Sequence, residues 1–170
     1  MNSDQKTVAI GSASGVLSMI FLVVLLYHFL PNPAPMLTFH ERFSYTFVAN
    51  VFAMIPLFSM LIVVGNARFF SRSIDPMLHA ETPLLETNGR VADNTLQQNF
   101  IFFVATVALT SMLDPEQMNS ILALTITFVI ARVAFWIGYR IDPLYRAPGM
   151  GATAYMNLGI IAYVVYQTLF

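Results

Sequence analysis

Cysteine is absent from the 170 residues, and that gap removes a disulfide framework, a thiolate zinc site and a cysteine nucleophile at once. Charge is nearly as scarce, at 10 % of residues where an average soluble domain carries about a quarter. A formal net charge of -1 also lacks the clustered basic excess that nucleic-acid phosphates demand, so no nucleic-acid partner is expected. The three histidines, His28, His40 and His79, are scattered over different segments, which leaves no metal-ligand spacing and no expected metal site. Internal repeats and low-complexity tracts are missing too.

What the chain has in quantity is apolar surface, 57 % of its residues, arranged in runs near the roughly 20 residues needed to cross a hydrocarbon core. An uncharged stretch from Val8 to Leu30 stops at the Pro31, Pro33, Pro35 series. It is longer than the apolar core of a secretory signal and reads as a retained span. A second run, Phe43 to Val64, carries Pro56 and predicts a kinked helix. The polar, proline-bearing segment Asn66–Gly89 reads as the longest loop. Beyond it, Arg90–Met112 and Met118–Tyr139 are joined by so short a turn at Asp114-Pro115-Glu116 that they predict an antiparallel hairpin. A final span is expected from Ala152 to Leu169, after a Pro148-Gly149 turn. The expectation is an all-α integral membrane protein of about five transmembrane helices in contact with lipid.

With five spans, the N-terminus and both long loops share one side. That side holds or borders Lys6, Arg68, Arg72, Arg90, Arg132, Arg140 and Arg146, while Arg42 stands opposite. Cytoplasmic segments carry the excess of lysine and arginine, so the N-terminus is expected in the cytoplasm, most simply of a plasma (inner) membrane. On the third span Arg90, Asn94 and Gln97 fall within roughly 60° of arc on one helical face. On the fourth, Arg132 and Tyr139 are two turns apart, with Phe135 and Trp136 between them. An arginine inside a span costs about 2.5–3.5 kcal/mol at mid-membrane. Several guanidinium forks on paired faces can bind a small polyanion through its carboxylates. Ordinary snorkelling of each arginine to the headgroups is the alternative. Gly11 and Gly15 form a Gly-x3-Gly on the first span that would let it pack closely on a neighbour.

The order Arg90-x3-Asn94-x2-Gln97, Ala131-Arg132-x6-Tyr139 and Pro143-Leu144-x-Arg146 resembles the superfamily of membrane-associated proteins in eicosanoid and glutathione metabolism (MAPEG). The resemblance divides the chain into an added N-terminal helix and loop, residues 1–42, and a four-helix bundle, residues 43–170. It implies a homotrimer that holds glutathione between subunits at the cytoplasmic side, bound by Arg68, Arg90, Asn94, Gln97, Arg132 and Tyr139. It implies further that Arg146 activates the glutathione thiol, since a nearby guanidinium stabilises a thiolate. Two residues depart from the pattern: Gln97 stands where glutamate is usual, and Phe135 where an aromatic or histidine with a polar edge is common.

Two functions follow as expectations. One is a membrane glutathione transferase or peroxidase acting on lipophilic electrophiles. The alternative, motivated by Gln97, Phe135 and the extra helix, is a non-catalytic structural or accessory subunit of a larger membrane complex. A small transporter is a weaker third reading, because neither inverted repeats nor an ionisable residue at mid-membrane is visible.

Overall fold

A computed structural model describes residues 1–31, 33, 36–75, 77 and 80–170, and every regular element in it is helical. Pro35 and His79, which figured above, lie outside the described residues. The first helix, α1 (Ser3–Phe29), starts before the expected Val8 because Asn2 and Gln5 form a reciprocal capping box around its polar first turn. It ends at the extended Leu30, just ahead of Pro31.

The second rod is broken. Helices α2 (Phe39–Ala53) and α3 (Ile55–Phe69) abut at Met54, two residues ahead of the expected kink at Pro56. Proline disfavours helical geometry in the residue before it and cannot donate a bond of its own, so the disturbance falls on its N-terminal side. Helix α4 (Pro83–Thr110) begins about two turns earlier than Arg90, capped by Thr82 with Pro83 in the first turn. The expected loop over Asn66–Gly89 is shortened at both ends accordingly. Helix α5 spans Asn119–Ile141, and α6 spans Ala147–Leu169. Pro148 and Gly149 therefore lie in the first turn of α6 rather than in a turn before it.

Three stretches among the described residues are long and apolar enough to cross a membrane by length and composition: Ser3–Phe29, Phe39–Phe69 and Pro115–Ile141. Helices α4 and α6, of 28 and 23 residues, have the length but not the apolarity. In α4 the shortfall comes from its first half, where Asn88, Arg90, Asp93, Asn94, Gln97 and Gln98 follow one another closely.

The centre of the bundle is α4 against α5, with Phe102 stacked on Phe128 at 4.4 Å between ring centroids. Ala49 and Ala53 of α2 and Met156 and Ile160 of α6 close around that pair. Polar groups link the helices as well. Thr46 and Thr110 hydroxyls meet at 2.7 Å, and Asn50 donates to Thr106 at 3.0 Å.

Helix α1 packs chiefly on α6 and α5, and Gly15 is its one buried residue. A Cβ on Gly15 would lie 2.0 Å from the carbonyl oxygen of Pro148, and one on Gly151 would lie 2.8 Å from that of Ser12. The Gly-x3-Gly of α1 does serve as its docking face. At the other end Asn119 donates to the Tyr27 and Leu30 carbonyls, at 3.1 and 3.0 Å, and so satisfies the C-terminal turn of α1.

Candidate functional site

Arg132 is the largest fully buried side chain in the protein. Residues 132, 135 and 139 of α5 recur at three and four, so their side chains stack along one helical face. The Arg132 guanidinium carbon lies 4.2 Å from the centroid of the Phe135 ring. Phe135 and Tyr139 meet edge to face at 5.8 Å, and the Arg146 guanidinium carbon lies 4.9 Å from the Tyr139 centroid. The result is a column of guanidinium, two rings and guanidinium, in which each charge faces the negative face of an aromatic ring.

Three helices hold the inner end of this column. From α4, the Asn94 side-chain oxygen accepts a bond from the Arg132 Nη1 at 2.9 Å. From α6, the Gly149 carbonyl accepts from Nη2 at 3.4 Å, a long contact, while also accepting from the Thr153 hydroxyl at 3.0 Å. Gly149 can come this close because a Cβ there would lie 2.5 Å from the Ala131 oxygen and the Phe135 nitrogen. The Nε of Arg132 has no partner, and no carboxylate among the described residues pairs with this guanidinium.

Around the column the remaining predicted residues are placed differently. Arg90, exposed at the rim near Tyr139, pairs with Glu86 one turn earlier on α4. Arg68, at the end of α3, pairs with Glu81 at 2.6 Å. Gln97 is exposed, while its neighbour Gln98 faces inward and accepts a bond from Asn157 at 3.0 Å. The structure thus brings Asn94, Arg132, Tyr139 and Arg146 together, sets Arg90 beside them, and leaves Gln97 exposed on the surface of α4.

Sequence reasoning missed two contributors. Asn88, buried on α4, accepts a bond from the indole of Trp136 at 3.0 Å. Gly149 supplies the carbonyl already described. The recurrence of Leu85, Asn88, Ala92 and Thr95 at three and four on one face of α4 could have revealed the first; nothing local marks a glycine carbonyl as an acceptor. An open groove of about 470 Å³ lies elsewhere, between α2 and α4; it is lined by Phe47, Val51, Leu96, Phe100 and Phe103 and contains none of the predicted residues.

Comparison with known proteins gives a coherent result. The MAPEG family model matches residues 46–166, which is α2 to α6 without the N-terminal helix. Transmembrane protein 79 of Mus musculus is 27 % identical over 158 residues, covering 91 % of this chain and 40 % of the mouse protein. Its counterpart in Bos taurus is 25 % identical over 141 residues, covering 82 % of this chain and 35 % of the bovine one. The chain therefore spans well under half the length of these relatives. No solved structure matches.

Proposed function

Because the chain belongs to the MAPEG family, we propose that it is a non-catalytic member which keeps the membrane bundle and serves as a structural or accessory subunit of a membrane complex. The observation that carries this reading is the occupation of its arginines from within the chain. Arg132 is held by Asn94, the Gly149 carbonyl and the Phe135 ring; Arg146 stacks on Tyr139; Arg68 and Arg90 are paired with Glu81 and Glu86. A tripeptide carboxylate would have to displace these contacts. Gln97, the residue that would answer its ammonium group, is neutral and exposed. In this reading all five rods cross the bilayer, the N-terminus is cytoplasmic, and the chain forms a homotrimer before joining its complex.

The deciding experiment is calorimetric titration of glutathione into detergent-purified protein, alongside the composition of what co-purifies in mild detergent. We expect no heat of binding to folded protein, and a stoichiometric partner. Glutathione binding that disappears in Arg132→Ala would overturn the proposal.

The transferase reading keeps one specific observation in its favour: Arg132 is buried with an unbonded Nε and no carboxylate partner among the described residues, a setting that would welcome an anion. Under it, Arg146 would swing from the Tyr139 ring to a glutathione sulfur, hold it as thiolate, and leave it to attack a lipophilic electrophile. Arg146→Ala should then abolish conjugation of an aryl halide while the trimer persists.

A further inference from the structure

We propose that the N-terminal helix α1 is a positioning element of the arginine column, clamping the first turn of α6 so that its backbone can hold Arg132. The family match begins at residue 46, so α1 lies outside it. Yet α1 makes its closest approach at the segment that carries the Gly149 carbonyl. Gly15 meets Pro148, the residue immediately before Gly149, with no room for even one added carbon. Gly11 faces Ala147 and Pro148, and Ser12 faces Gly151. Contacts at Ala147 and Pro148 on one side and at Gly151 on the other therefore bracket Gly149, while its own carbonyl points to Arg132.

Two further features make the clamp directional. A cleft of about 220 Å³ lies where α1, α5 and α6 meet, lined by Ser14, Gly15, Ser18, Thr127, Pro148 and Gly149 among others, so the tight seat of α1 here is the Pro148 backbone of α6 rather than α5. The distant end of α1 is tied to the first residue of α5 through the two Asn119 bonds, which fixes its tilt. With one end tied and the other seated on Pro148, α1 holds the α6 turn against α5. There Gly149 already packs on the backbone of Ala131 and Phe135, the neighbours of Arg132. Without the clamp this turn would open toward lipid, and the Arg132 guanidinium would lose its α6 partner and its cover. The inference holds whether or not the column binds glutathione, and its test does not use that ligand.

The test exploits the absence of cysteine. Gly11→Cys and Ala147→Cys, whose Cβ positions lie about 3.0 Å apart, report α1 docking by disulfide yield after a few tenths of an ångström of relaxation. Phenylglyoxal labelling, read per residue by mass spectrometry, reports access to Arg132, with the exposed Arg72 and Arg140 as internal references. In purified full-length protein, Gly15→Leu should lower the disulfide yield and raise Arg132 labelling about tenfold relative to Arg140, while Gly65→Leu, at a position with open space around it, changes neither. Should Gly15→Leu fail to fold, Asn119→Ala, which releases only the far end of α1, is expected to raise Arg132 labelling about threefold. Loss of the disulfide with Arg132 still protected would overturn the proposal. So would an unchanged disulfide in both variants, or an equal rise in Gly65→Leu.

Discussion

Arg132 poses a contest of signs that decides what the residue is for. Holding a guanidinium within a span costs about 2.5–3.5 kcal/mol on insertion scales. Against this stand a charged hydrogen bond to Asn94, worth about 1.5–3 kcal/mol, a weaker one to Gly149 and a desolvated ring contact of about 2 kcal/mol. The favourable terms win narrowly. Arg132→Met, which keeps the stem and discards the charge, is therefore expected to lose about 1–2 kcal/mol in reversible unfolding in detergent. A Met variant more stable than wild type would mean that the charge is kept against stability, as a ligand site requires. The sequence revealed Arg132 and Tyr139 as one face because they stand two turns apart in a largely apolar run, with Phe135 and Trp136 between them. It did not separate Gln97 from Gln98. The first half of α4 is polar on every side, so no apolar stripe marks the inward face, and a one-residue step turns a side chain by about 100°.

At the scale of the element, the α2–α4 contact tests how much a polar zipper contributes inside an apolar bundle. Asn50 donates to the Thr46 carbonyl at 2.9 Å and to the Thr106 hydroxyl at 3.0 Å, and the Thr46 and Thr110 hydroxyls meet one turn away. Interhelical bonds of this kind contribute about 0.6 kcal/mol on average and rarely more than 2. Asn50→Leu should then cost about 1 kcal/mol, and Thr46→Val in the same background should cost less than it does alone, because the two side chains act together. Additive losses in that double variant would mean that the pairs work independently. The helices themselves were legible from their apolar runs and proline stops, and α5 falls within two residues of its expected ends, but the starts of α4 and α6 were not. Helix α4 gains its early start from the Thr82 cap and Pro83, and α6 gains its own from Pro148 in a first turn, where a missing N–H is harmless. Read locally, Pro148-Gly149 is a turn signal. What requires Gly149 is the backbone of α5 lying against it, a tertiary fact that no local pattern carries.

For the whole molecule the open matter is how many rods cross the bilayer, since α4 and α6 lack the apolarity of the other three. Geometry favours their crossing. Helix α4 lies at the centre of the bundle and buries Thr95, Gln98 and Asn99 against its neighbours, so that these polar groups face protein and carry little penalty from lipid, while Arg90, Asp93 and Gln97 stay exposed. The charge bias points the same way. Arg42, the basic residue opposite the rest, donates to the Leu113 carbonyl just past the end of α4, and so serves an internal bond at the negative end of a helix. Lysine and arginine set orientation and acidic residues contribute little, so replacing an aspartate or glutamate by cysteine should leave the topology alone. Single variants Asp4→Cys, Asp75→Cys and Glu116→Cys, treated with an impermeant maleimide on intact cells, should label at Glu116→Cys only, the other two requiring permeabilised membranes. Labelling of Asp75→Cys and Glu116→Cys from the same side would mean that α4 does not cross. If Asp4→Cys and Asp75→Cys label from opposite sides, either α1 or the α2–α3 rod fails to span. The three positions bracket every rod but the last two; a tag at Phe170 is expected on the side of Glu116 if α5 and α6 both cross, and on the opposite side it would mean that one of them does not.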